Sequence, residues 1–143
     1  MAQDAPLSKG LLMNLTLATS MARQAAMAVR AGQPLVVMTS LPGCPYCDLV
    51  RDHHLGPMSA SGEVVAVQLN ITDGVRRIDD FDGVARTAKA ISKRWDARFA
   101  PTVLFFNAQG TEIAERLVGV AVPDFFGAYL EQRLDTARAR LAA

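Results

Sequence analysis

Both cysteines of this 143-residue chain lie in one stretch, LPGCPYCDLVRDHH (41–54), separated by two residues and followed by two histidines. Two chemistries use such a set: electron exchange between a dithiol and a disulfide, and coordination of a metal such as zinc. Adjacent helical residues point about 100° apart, so His53 and His54 do not both converge with the cysteines on one tetrahedral ion. The exchange chemistry asks instead that one sulfur be a ready thiolate and the other lie within its reach.

The flanking elements meet that demand. Leu35 to Ser40 (LVVMTS) is a short apolar, β-branched run suited to a strand buried on both faces, and CPYCDLVRDHHL reads as a helix ended by Gly56-Pro57. Cys44 then stands at the helix N-terminus, where unpaired N–H groups and the dipole favour a thiolate. Pro45 is tolerated in the first helical turn, because the N–H it lacks has no partner there, and it stiffens that turn. Cys47, one turn further in, is placed to resolve a disulfide formed on Cys44. The histidine pair reads as a helix end, with His54 packing inward.

Elsewhere, Ser20 to Ala31 is rich in helix formers, with Thr19 or Ser20 as cap and Gly32 and Pro34 as stops; Leu11 to Leu17 reads as either strand or helix. Val64 to Asn70 alternates with strand period, and ITDGVRRIDDFDG (71–83) reads as a polar loop. Asp82 is expected to cap a helix carrying Val84, Ala88, Ile91 and Trp95 at helical spacing. TVLFF and TEIAERLV flank NAQG as a hairpin, and Val122-Pro123-Asp124 opens a helix with Phe126, Leu130, Leu134, Ala137 and Leu141 on one face. A helical crossover makes the 35–40 and 64–70 strands parallel, and the short turn makes the last two antiparallel. The expected fold is α/β, a mixed central sheet flanked by helices, in one domain over 1–143.

With these features in place, the sequence resembles the thioredoxin superfamily over about residues 35–135, through PLVVMTSLPGCPYC, RFAPT and TVLFFNAQGTEIAERLVG. The resemblance implies a thioredoxin fold with an N-terminal extension and a redox-active Cys44–Cys47 disulfide as the only redox group, without a separate cofactor. Gly43, Pro45 and Tyr46 complete the active-site motif. The resemblance further implies that Pro101 is a cis-proline facing the dithiol, that Ala100 offers backbone groups to an extended substrate, and that Gly119 is the family's glycine near the site. Trp95 and Arg98 sit at family-like spacings before the proline.

Three departures qualify it. Cys-Pro-Tyr-Cys is the glutaredoxin form of the motif, although the surrounding chain is thioredoxin-like. The family's buried carboxylate six residues before the first cysteine, and its lysine partner, are replaced by Met38 and Gln68. The segment 71–94, before the expected cis-proline, is longer than in thioredoxins, which brings the chain nearer the periplasmic thioredoxin-like proteins of bacteria.

The activity implied is thiol–disulfide oxidoreduction, read as reduction of protein disulfides; glutathione-dependent oxidoreduction, with Arg98 as the nearby cation, and disulfide isomerisation or oxidation are the alternatives. A different class, a non-enzymatic module that binds a partner in the same groove, would leave the cysteines as bystanders. The expected partners are protein thiols and disulfides, with an upstream reductant or oxidant protein. A net charge of +1 offers no footprint for nucleic acid, and no apolar run reaches the roughly 18 residues of a membrane span. No signal peptide is read around Asp4, Lys9 and Leu11 to Ala18. A periplasmic location is favoured over a cytoplasmic one. Asp79, Asp80 and Asp82 lack the alternating spacing of a calcium loop and read as caps and a solvated loop.

Overall fold

A computed structural model describes residues 14–143. The expectations resting on Asp4, Lys9 and residues 11–13, and the first 13 residues of the expected N-terminal extension, lie outside that range. Within it the chain runs β1 (Thr16–Leu17), α1 (Met21–Arg30), β2 (Leu35–Ser40), α2 (Pro45–Val50), a π-helical turn (Arg51–Leu55), α3 (Gly56–Ala60) and β3 (Val65–Asn70). It continues with β4 (Arg77–Asp79), β5 (Ala85–Thr87), α4 (Ala88–Arg94), β6 (Thr102–Phe106), β7 (Glu112–Val118) and α5 (Pro123–Ala142). The main sheet has the order β1-β3-β2-β6-β7, with β2 parallel to β3 and antiparallel to β6, and β6 antiparallel to β7. This is the mixed sheet with flanking helices expected of the thioredoxin fold.

The two central strands are buried along their whole length because both of their faces are covered, and they are apolar apart from Thr39, Ser40 and Thr102. Val36 and Met38 of β2, with Val103 and Phe105 of β6, meet the side formed by α2, α3 and α5. Leu35, Val37, Leu104 and Phe106 point the other way, toward α1 and α4. On α5 the residues Phe126, Leu130, Leu134 and Ala137 recur at helical spacing and are all buried. Each such Leu contributes about 1.5–3 kcal/mol by leaving water. Ser20 caps α1 by accepting the Arg23 N–H at 3.3 Å, and Thr87 caps α4 by accepting the Ala90 N–H at 3.2 Å.

Three sequence expectations are corrected. Gly56-Pro57 does not end the active-site helix, which runs on to Ala60. The π turn lets the Gly56 N–H reach the Arg51 carbonyl, and Pro57 falls in the first turn of α3, where a missing N–H costs little. The 71–83 segment is not all loop, since β4 pairs with β5 in a small antiparallel sheet, Ile78 opposite Arg86. The helix carrying Ile91 starts at Ala88 rather than Asp82, so Val84 lies exposed on the hairpin.

This hairpin occupies the long segment before Pro101. Its turn is held by the buried Asp80, which accepts from Arg86 at 2.9 Å and faces Arg94 at 3.4 Å. Asp82 pairs with Arg86 at 2.8 Å and accepts the Val84 N–H at 3.1 Å, and these bonds, Arg86 first, lower its pKa to about 2. The aspartates are thus the hairpin's own ion-pair network. Beneath it, Phe81, Trp95 and Phe106 form an aromatic cluster with centroids 4.8–6.0 Å apart. Gly110, at φ +83°, closes the β6–β7 turn against Phe81, where an added Cβ would stand 2.5 Å from the ring.

Candidate active site

Beyond the C-terminal end of β2 the chain turns through Gly43, which takes φ +71°, a conformation that suits a residue without Cβ. Cys44 follows as the N-cap of α2, and Pro45 occupies the first helical turn. Cys44 and Cys47 are joined in a disulfide with Cα atoms 5.2 Å apart. The two sulfurs differ in access: Cys44 is partly exposed, while Cys47 is only 1% exposed. The Cys47 N–H points at Cys44 Sγ from 3.2 Å. In the reduced state that N–H and the helix dipole would favour negative charge on the first sulfur. Tyr46, half exposed, stands on the rim.

The opposite wall comes from the loop before β6. The Ala100–Pro101 peptide bond is cis, and the Ala100 carbonyl oxygen lies 3.9 Å from Cys44 Sγ. Thr39 of β2 pins this loop from below. Its hydroxyl donates to the Phe99 carbonyl at 2.9 Å and accepts the Thr102 N–H at 2.7 Å, and the Thr102 hydroxyl donates to the same Phe99 carbonyl at 2.6 Å. Gly119, at φ +69°, donates its N–H to the Pro101 carbonyl at 2.7 Å. The residues singled out from the sequence (Gly43, Cys44, Pro45, Tyr46, Cys47, Ala100, Pro101 and Gly119) therefore converge on one face.

Two neighbours of the site were not singled out. Thr39 looks in sequence like one more β-branched strand residue, and only its place beside the loop reveals the paired hydroxyl bonds. Phe99 is exposed next to Ala100, with its ring over Gly119, where an added Cβ would lie 3.2 Å from the ring edge. An exposed aromatic in a loop is the signal that could have found it.

Other candidates fall elsewhere. Met38 is fully buried in β2 opposite Gln68 of β3, and the Gln68 amide donates to the Leu15 carbonyl at 2.6 Å. Trp95 packs in the aromatic cluster, and Arg98 reaches Asp96 at 3.7 Å on the surface. His54 packs against Phe126 at 5.2 Å; burial, and secondarily the charge of His53, lowers its pKa. Among the described residues no three His, Cys, Asp or Glu side chains gather as a metal site, and no helix is long and apolar enough to cross a membrane.

Residues 21–134 match the family described as the thioredoxin-like domain. No curated protein matches the chain. Among solved structures it is similar to oxidised thioredoxin O2 from Arabidopsis thaliana, at 17% identity and TM-score 0.55 over 83% of this chain and 93% of that one. It is similar also to oxidised mitochondrial thioredoxin 3 from Saccharomyces cerevisiae, at 17% identity and TM-score 0.54 over 85% and 93%. Fasciola hepatica thioredoxin gives 14% identity and TM-score 0.55 over 85% and 97%. At such identities these likenesses speak for the fold alone.

Proposed function

The chain belongs to the thioredoxin-like family, and from that premise we propose that it reduces disulfides in other proteins through the Cys44/Cys47 pair. A thioredoxin-like fold carrying this disulfide supports thiol–disulfide oxidoreduction in general. The observation behind the specific assignment of roles is the asymmetry of the two sulfurs. Cys44 is the one a partner can reach, at the end of α2 and beside the Ala100 carbonyl, and Cys47 lies buried behind it.

In the reduced protein the Cys44 thiolate attacks one sulfur of a substrate disulfide, forming a Cys44–substrate bond and releasing the other sulfur as a thiolate. Cys47 then loses its proton and attacks Cys44 Sγ. The Cys44–Cys47 bond forms, the mixed disulfide breaks, and the second substrate thiolate leaves. Two electrons have passed from the dithiol to the substrate, and an upstream protein dithiol returns them. Ala100 and Pro101 hold the substrate segment against Cys44. With Met38 fully buried where a carboxylate would serve as base, the Cys47 proton passes to water or to the departing thiolate.

The equilibrium potential of the pair against a thiol buffer of known poise tests the direction of flow. A value near that of thioredoxins, about −270 mV, supports the reductase; one near −120 mV, the range of strong disulfide donors, would make the protein an oxidant instead.

A further inference from the structure

A cleft of about 380 Å³ separates β7 from the start of α5. Its near end is formed by Val118, Gly119 and Val122, and its far end by Glu115 and Arg133, with Tyr129 along the helix side. The near end adjoins the active-site face: Gly119 is bonded to the Pro101 carbonyl at 2.7 Å, and the neighbouring Ala100 carbonyl is 3.9 Å from Cys44 Sγ. These contacts keep the cleft mouth within roughly 10 Å of the sulfur, no more than about three residues of extended chain. Phe99, held through its carbonyl by Thr39 and Thr102, stands with its ring over Gly119 at the near end of the cleft.

The cleft's cations are already engaged within the chain. Arg133 donates to the Glu115 backbone carbonyl and to its carboxylate, both at 3.0 Å. Arg116 clasps the Glu112 carboxylate at 2.7 and 3.0 Å and also donates to the Trp95 and Asp96 carbonyls. Yet Val118, Val122, Tyr129 and Phe99 remain exposed. A guest carboxylate would lose water here without gaining a free cation, whereas a large apolar side chain would cover apolar surface.

We propose that this cleft selects substrates, taking a bulky apolar side chain (Leu, Ile or Phe) two to three residues from the substrate cysteine that bonds to Cys44, with Phe99 as the guiding rim. The inference rests on Cys44 being the sulfur that forms the mixed disulfide. The occupant is part of the protein substrate itself, because the cleft is continuous with the face that must receive the substrate backbone. Burying a Leu-sized side chain corresponds to roughly ten- to a hundredfold in capture rate if most of its apolar surface is covered.

The test uses the full chain with Cys47→Ser and short peptides whose single cysteine is blocked as a mixed disulfide with 2-nitro-5-thiobenzoate. Attack of the Cys44 thiolate on the peptide sulfur joins peptide to protein and releases one coloured thiolate, so the rate is read directly. Peptides carry Leu, Phe, Ala, Asp or Lys two or three residues to either side of the cysteine. Leu and Phe peptides are expected to react at least about tenfold faster than Asp peptides. Adding Val122→Asp should collapse that ratio; Val122 is the N-cap of α5 without a side-chain bond, and Asp is favoured at an N-cap, so the helix is not put at risk. Tyr129→Ser gives a second, independent change in the cleft. Equal rates for all peptides, or a preference that survives both changes, would overturn the proposal. Apolar-selective capture combined with failure of the intact protein to reduce protein disulfides would leave the cleft standing and remove only the reductase reading. Absence of any peptide on Cys44 would remove both.

Discussion

Replacing Thr39 with Val keeps the shape of a fully buried β2 residue and deletes the hydroxyl that joins the sheet to the active-site loop. The Thr102 N–H, which donates to that hydroxyl at 2.7 Å in a buried setting, loses its acceptor. The Phe99 carbonyl loses one of two donors but keeps the Thr102 hydroxyl at 2.6 Å. The dominant cost is therefore one orphaned buried donor, about 1–3 kcal/mol. At about 2.1 cal/mol/K per residue, unfolding 143 residues carries an entropy of about 0.3 kcal/mol/K, so a loss of ~2 kcal/mol lowers Tm by about 7 °C. Thr102→Val should cost less, about 0.5–1.5 kcal/mol, since the Thr39 hydroxyl still serves the Phe99 carbonyl. The double variant should lose more than the sum, because that carbonyl then has neither hydroxyl. Differential scanning calorimetry of the three variants measures this. Alongside, capture of a protein disulfide should slow more than reaction with a small disulfide reagent, since only the former leans on Ala100 and Pro101. A Tm drop below about 2 °C for Thr39→Val, or strictly additive effects, would refute the reasoning.

Met38→Asp should speed release of substrate from the Cys44 mixed disulfide by offering Cys47 a base, at a stability cost of about 1–3 kcal/mol or more for the buried carboxyl; stopped-flow decay of a preformed mixed disulfide checks it, and an unchanged rate in a folded variant would contradict the account. His54, whose pKa is lowered in the folded state by burial and by His53, binds its proton more readily when unfolded. Its contribution to stability is present above the unfolded value near 6.5 and is lost as pH falls below that value, so His54→Gln should flatten the decline of Tm as pH falls below about 6.5.

What could be read from the sequence follows the strength of its periodic signals. The central strands β2 and β6 announce themselves by the apolar runs Leu35 to Met38 and Val103 to Phe106 because both faces are covered, and α5 carries a stripe three to four residues apart over its buried face. The β4–β5 hairpin is silent by comparison, with three-residue strands, a single buried side chain at Ile78, and charged residues in both arms. Its ion-pair network around Asp80 is a tertiary fact, and a run of aspartates looks the same whether it caps, solvates or pairs. The Gly56-Pro57 stop signal misled because a π turn realigns the backbone there, which residue propensities do not encode. At the site, Cys44, Cys47 and the turn around them were legible because the chemistry demands that spacing. Thr39 and Phe99 were not, since their roles arise from the meeting of β2, the 99–102 loop and Gly119 across more than 60 residues of chain.

The most direct measurement of the central claim is covalent trapping of a protein disulfide substrate by single-cysteine variants, read as reducible adducts on a non-reducing gel and located by peptide mapping. Cys47→Ser should accumulate substrate on Cys44, because attack proceeds and release is lost, while Cys44→Ser should trap none, because Cys47 is buried behind the first sulfur. Equal trapping by both variants, or adducts found mainly on Cys47, would contradict the assignment of the two sulfurs.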